Sequence, residues 1–163
     1  MIGRILIPVD NDEPSSWAVQ AAATLVAKFG SKVAMIHVFF PPFGVGPESA
    51  VMRPDITDEQ MRRGRELLAK HHKAFPPGTS VEEVILVGQP PDQIVEYARK
   101  WGADLVIVAS QQRRGLARLI LGNVAEVVIR YSPCTVLVVR PKEEAEAQTT
   151  EAGASHGANL ATS

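Results

Sequence analysis

Asp104-Leu-Val-Ile-Val-Ala-Ser110, then Gln111-Gln-Arg-Arg-Gly115, then Leu116 to Tyr131, then Ser132-Pro-Cys-Thr-Val-Leu-Val-Val-Arg140 is the stretch that decides the fold. The apolar run from Leu105 to Ala109 is unbroken, as expected of a strand buried on both faces in a parallel sheet. A polar, basic loop follows it directly. Apolar residues then recur at Leu116, Leu119, Ile120, Val124, Val127, Val128 and Tyr131. That is helical spacing with one buried face. Pro133 ends the helix, and Val136 to Val139 form a second buried strand. In open parallel sheets the loop of such a strand–loop–helix–strand unit sits at the carboxyl edge, where ligands bind.

Gly122-Asn123 interrupts the helical stretch. Glycine is costly inside a helix, so one there needs a reason. Asn123 followed by Glu126 three residues later resembles a capping box, with Asn replacing Ser or Thr. The reading is a short helical turn from Leu116 to Leu121 and a fresh helix N-terminus at Asn123. An N-terminus facing a crevice can bind an anion through its free amides. The alternative is that Gly122 only relieves packing, and the residues alone leave both readings open.

Ala103-Asp-Leu-Val-Ile-Val-Ala-Ser110, Gly115-Leu-Ala-Arg-Leu-Ile-Leu-Gly-Asn-Val-Ala-Glu126 and Ser132-Pro-Cys-Thr-Val-Leu-Val-Val-Arg140 together resemble the universal stress protein family. The resemblance covers residues 3 to 141. The family signature is Gly-x-x-Gly, nine residues, then Gly-Ser or Gly-Thr, and in nucleotide-binding members it cradles the phosphates and ribose of ATP. Here its positions fall on Ala109, Gln112, Gly122 and Asn123, so one glycine of three is kept and Asn replaces the hydroxyl residue. Glycine suits a phosphate loop because it permits positive φ and close backbone approach. Gln112 could fill the phosphate position or donate a hydrogen bond. Arg113 and Arg114 could offset the loss with positive charge, or could simply form a solvated basic loop.

Outward from this stretch, the remaining elements alternate. Arg4 to Val9 is a short buried strand with Pro8 near its end. Asp10 to Pro14 is a turn, and Ser15 or Ser16 can cap a helix from Trp17 to Phe29. Ala18, Ala21, Ala22, Leu25 and Phe29 give its inward stripe, and Gly30 closes it. Lys32 to Phe39 is the second strand. Pro41 to Pro54 is too punctuated by Pro and Gly for regular structure, and is either a flap over the carboxyl edge or an insertion. Thr57-Asp-Glu-Gln60 reads as a capping box opening a charged helix to Ala74, with Met61, Leu67, Leu68 and His71 inward. Val81 to Val87 is the third strand. A third helix carries Ile94, Val95, Ala98 and Trp101 on one face and ends at Gly102. After Pro141, residues 142–163 are Ala, Glu, Thr, Ser and Gly with almost no large apolar side chain, read as a disordered tail beside a domain of residues 1–141.

The order βαβαβαβαβ with right-handed crossovers demands an open, parallel, doubly wound α/β sheet of five strands. The resemblance implies the strand order 3-2-1-4-5, with the switch point between strands one and four. Asp10 would then lie beside Ala109 to Gln112. A carboxylate there is expected to see a ligand, or Mg²⁺ bound with one; the alternative is that Asp10 only starts a turn. The resemblance also puts Val38, and His37 beside it, near an adenine site. The nucleotide-binding candidates are thus Asp10, Val38, Ala109, Gln112, Arg113, Gly115, Gly122 and Asn123, with Asp10 as the metal candidate.

The 163 residues suffice for one domain with a core, and an apolar share of 45% and a charged share of 21% are ordinary for a soluble protein. A net charge of −1 gives no electrostatic reason to expect nucleic acid or an anionic membrane. No apolar run reaches the ~18 residues of a membrane span. The lone Cys134 cannot form an internal disulfide and reads as a packed thiol. A strand beginning at Arg4 leaves no signal-peptide pattern, so a cytoplasmic location is expected. There is no Gly-x-Ser-x-Gly elbow, no Walker lysine motif and no complete Gly-x-Gly-x-x-Gly fingerprint. His71 and His72 project about 100° apart, poor geometry for one metal, and read as rim histidines. Glu82 and Glu83 read as solvated charge.

The leading expectation is a regulator that works by binding, with a degenerate nucleotide pocket and an unidentified protein partner. The alternative is an adenine-nucleotide sensor that keeps ATP with Mg²⁺ in the crevice, with slow hydrolysis at most. The resemblance further implies a homodimer paired along the last strand, through Val136, Leu137, Val138 and Val139.

Overall fold

The computed structural model describes residues 2–40, 54–110 and 122–140, with residues 54–57 as backbone only. Its sheet is built on Ile5, Leu6 and Ile7, all fully buried in β1 (Arg4–Pro8). Around it lie β2 (Lys32–Phe39), β3 (Val81–Val87), β4 (Leu105–Ala109) and β5 (Thr135–Val139), all parallel, in the order β3-β2-β1-β4-β5. The expected architecture and strand order are both present. Four helices cover the sheet among the described residues: α1 (Glu13–Phe29), α2 (Pro54–His72), α3 (Pro90–Trp101) and α4 (Asn123–Tyr131).

Side chains alternate faces along a strand, and here the alternation sorts the core into two layers. Ile5, Ile7, Val33, Met35, Leu105 and Ile107 pack against Ala18, Val19, Ala22 and Val26 of α1 and Leu68 of α2. Leu6, Ala34, Ile36, Val106 and Val108 pack against Ile94, Val95 and Ala98 of α3 and Ala125 and Val128 of α4. Each such Leu, Ile or Val contributes on the order of 1.5–3 kcal/mol by leaving water. The unbroken apolar strands are therefore explained by helices on both sides.

Helix starts differ from the sequence reading. α1 begins at Glu13, four residues early, because Asp12 is its cap and accepts the Ser15 amide. Pro14 fits in its first turn, where no intrahelical donor is needed. Ser15 is buried inside the helix, Ala21 is only half-buried, and Phe29 is 48% exposed with the Lys28 ammonium over its ring. Gly30 closes α1 at φ 66°, a left-handed conformation that glycine adopts without strain. α2 begins at Pro54, so Thr57 lies within it rather than capping it, and it ends at His72. In α4 the cap is Gly122; Asn123 is the first helical residue and makes no side-chain cap. Val124 and Tyr131 are exposed, and Ala125 and Val128 face the sheet.

Glu82 and Glu83 are not merely solvated. Glu82 accepts from the Tyr97 hydroxyl at 2.8 Å and the Trp101 indole at 3.0 Å, while Glu83 pairs with His72 at 2.6 Å. Cys134 is half-buried, with its Sγ 3.6 Å from Ser132 Oγ. The helical turn expected over 116–121, most of the 41–54 loop and the tail fall outside the described residues. Among the described residues no helix is long and apolar enough to cross a membrane.

Candidate functional site

β1 and β4 are neighbours that part at their carboxyl ends. Beyond Pro8, the Val9 amide donates to Ile36 of β2, while beyond Ala109 the Ser110 amide donates to Val139 of β5. Each strand turns to its outer neighbour, and a crevice opens between them. Pro8 assists. Backbone groups alternate sides along a strand; Val9 faces β2, so Pro8 occupies a position facing β4 and has no donor to offer it.

The crevice has a volume of about 330 Å³. Val9, Ile36, Val38, Ile94 and Val108 give it an apolar wall, with Pro8 and Pro90 beside them. Asp10 and Asp12 stand at one rim. At another stand Gly122, Asn123, Val124 and Ala125, the first turn of α4. The Glu126 amide donates to the Gly122 carbonyl, closing the first helical ring. The amides of Asn123, Val124 and Ala125 therefore have no acceptor within the helix, and the helix dipole places partial positive charge there. Gly122 has φ −58°, and among the described residues a Cβ on it would meet no atom within 4 Å, so packing against them does not require this glycine. Ala109, at the end of β4 and in register with Val139, is in ordinary strand conformation, so losing a signature glycine there strains nothing.

Among the described residues the Ser15 hydroxyl links the two ends of the β1–α1 connection. Ser15 Oγ accepts from the Asp10 amide at 2.8 Å and donates to Asp12 Oδ1 at 2.6 Å, and the Ser15 amide donates to the same oxygen at 3.0 Å. Asp10 is exposed, and its Oδ1 accepts from the Asn11 amide at 2.8 Å. Its carboxylate thus makes the local turn bond while standing at the crevice. His37 Nδ1 donates to the Val9 carbonyl at 2.9 Å, so the ring braces the chain where it leaves the sheet. That ring lies against α2 at Gly64, where a Cβ would come within 3.1 Å of His37 Cδ2 and 2.9 Å of Ile85 Cδ1. Gly64 is what allows the helix to pack so closely on these strands.

Of the residues singled out from sequence, Asp10, Val38, Ala109, Gly122 and Asn123 come together at this crevice, as does His37. Gln112, Arg113 and Gly115 lie outside the described residues. Asp12, Ser15, Pro90 and Ile94 were not anticipated there; the Asp12-x-x-Ser15 spacing, a cap with its partner, was the available signal for the first two. Among the described residues no group of three or more His, Cys, Asp or Glu side chains could hold a metal ion. Asp10 alone fits Mg²⁺ only in the way this ion commonly binds, with one or two carboxylates and the rest of its shell from phosphates and water.

The profile of the universal stress protein family matches residues 1–140. Universal stress protein MJ0531 of Methanocaldococcus jannaschii is 36% identical over 144 residues, covering 86% of this chain and 84% of the relative. A universal stress protein solved in complex with cAMP superposes with a TM-score of 0.62 at 26% identity, over 85% of this chain and 97% of that one. The fold is also that of a universal stress protein from Lactobacillus plantarum, with a TM-score of 0.73 at 19% identity over 85% of this chain and 98% of that one. With the profile spanning every strand of the sheet, the chain belongs to the universal stress protein family.

Proposed function

We propose that this protein binds an adenine nucleotide at the β1/β4 crevice and acts through occupancy rather than turnover. The observation that carries the reading is the pairing, among the described residues, of an apolar wall with a helix N-terminus in one crevice. A planar base packs on Val9, Ile36, Val38 and Ile94, and a phosphate accepts from the free amides at the start of α4. The relative solved with cAMP, 26% identical, supports adenine as the base. Asp10 and Asp12 would repel a polyphosphate, so ATP would need Mg²⁺, whose charge Asp10 could share. Among the described residues that line the crevice, two side chains already serve the loop: Ser15 Oγ is bonded to Asp10 and Asp12, and His37 Nδ1 to Val9. That supports binding without catalysis. Thermal melts with AMP, ATP–Mg²⁺ and guanine counterparts test the reading. Stabilisation by the adenine series is expected, and equal stabilisation by both series would remove the base-selective claim.

A second reading concerns self-association. β5 is a sheet edge, paired only with β4 among the described residues, and it carries the 39% exposed Leu137 with no charged side chain. Such an edge invites pairing with a second copy. Sedimentation should give a dimer that Leu137→Lys dissociates, and a monomer at every concentration would end this reading.

A further inference from the structure

The ladder between β1 and β2 stops short of one bond, and a side chain stands in the place of that bond. In a parallel ladder the amide and carbonyl of a residue face the same neighbour, and every second residue of the strand does so. Val9 carries the ladder past the end of β1, its amide donating to the Ile36 carbonyl at 2.8 Å. Val38, next but one along β2, presents its backbone to the same side. The bond that would follow runs from the Val38 amide to the Val9 carbonyl, and it is not made. The Val9 carbonyl accepts instead from His37 Nδ1 at 2.9 Å. Val9, His37 and Val38 all line the crevice. We propose that His37 is a positioning residue of the crevice: it draws the Val9 carbonyl to its ring, keeps it off the Val38 amide, and so holds a main-chain donor open to the ligand.

The contact fixes the state of the ring. A carbonyl oxygen only accepts, so Nδ1 carries a proton and the neutral ring is the Nδ1–H tautomer. The ring is also held from behind. His37 shares a face of β2 with Met35, which packs in the layer under α1 and α2. α2 comes so close at Gly64 that a Cβ there would lie 3.1 Å from His37 Cδ2. The ring therefore has little room to leave Val9 on the helix side. An apolar side chain could fill this space, but only a donor can retain the carbonyl. Nucleotide binding here rests on the function proposed above; the part His37 plays in leaving the Val38 amide unpaired does not.

The test uses the full chain, first without nucleotide. Long-range proton–nitrogen correlation spectra in mildly alkaline buffer, where imidazole is neutral, should show a protonated Nδ1 and a bare Nε2 for His37, assigned by their loss in His37→Asn. Amide exchange then reads the ladder. In His37→Leu the Val38 amide should exchange more slowly, by about fivefold or more, the worth of one ordinary hydrogen bond, because the Val9 carbonyl is returned to it. Loss of a residue that only packs would loosen neighbouring amides and speed their exchange. His37→Asn puts Nδ2 where Nδ1 was, and should leave Val38 exchanging as in the unaltered protein. Affinity for AMP should fall about fivefold in H37L and return in H37N. A bare Nδ1, a Val38 amide that is unchanged or faster in H37L, or an H37N that behaves as H37L overturns the positioning role. Slower exchange with unchanged affinity overturns the use of this amide by the ligand. If AMP does not bind the unaltered protein, the nucleotide reading fails, and the tautomer and the exchange rates still decide the role of His37.

Discussion

β1 and β4 are treated oppositely at their two ends. At the amino end they are laced together. Asp104 Oδ2 accepts the amides of Gly3 and Arg4 at 2.8 and 2.9 Å, the Asp104 amide returns a bond to the Arg4 carbonyl, and Arg4 Nη1 donates to the Trp101 carbonyl at 2.7 Å. The Arg4 guanidinium also lies 5.8 Å from the centre of the Trp101 ring. At the carboxyl end the same strands turn to their outer neighbours and leave the crevice. The difference teaches that rigidity and access are separated along one pair of strands. The closed end fixes their spacing, and the open end offers backbone amides and an apolar wall whose geometry that spacing determines.

This contrast can be broken from either end. The largest effect expected is from Val38→Trp, which puts an indole into the open end. Nucleotide affinity should fall at least about 100-fold, roughly 2.7 kcal/mol, while circular dichroism stays native. Retained affinity would mean the ligand lies elsewhere. At the closed end, Asp104→Ala leaves two backbone amides to water and should cost about 1–2 kcal/mol in denaturant titrations, with affinity for nucleotide little changed. A collapse of affinity in D104A would show that the two ends are not separable. Asn123→Asp should move stability and binding in opposite directions. A carboxylate at the first helical position stabilises α4 by about 0.5 kcal/mol, yet it repels a phosphate and should weaken binding about fivefold, seen by melting and calorimetry together.

The smallest effect is a pH dependence from the α1/α2 side. His71 has a folded value below 6.5, so the unfolded chain binds the extra proton first. Its contribution to stability is complete above 6.5, is lost as pH falls from there, and levels off below the folded value. Melting temperature should therefore decline less on acidification in His71→Gln than in the unaltered protein.

The strands were legible because a run such as Leu105 to Ala109 has no other way to satisfy its side chains than burial on both faces. Helix ends were not, because several residues compete for each cap. Ser15 looked like a cap and is instead the buried partner of one, and Asn123 yielded the cap position to Gly122. Phe29 has the right helical spacing, yet its large side chain stays substantially in water at the last turn of α1. The lacing of Asp104 to Gly3 and Arg4 spans about one hundred positions and leaves no local pattern. Nor does the seating of His37 against Gly64. At the candidate site, Asp10, Val38, Ala109, Gly122 and Asn123 were reachable from the switch-point argument and the family signature. Ile94 and Pro90 were not, because their place depends on how α3 packs across the sheet.

The most direct measurement is calorimetric titration of protein stripped of carried-over nucleotide, first with AMP and then with ATP and Mg²⁺. Saturable one-to-one binding that Val38→Trp abolishes is the result expected of a crevice built from an apolar wall and the α4 N-terminus. No heat, and no rise in melting temperature at ~millimolar nucleotide, would contradict it, because any ligand bound by the native state alone must stabilise that state.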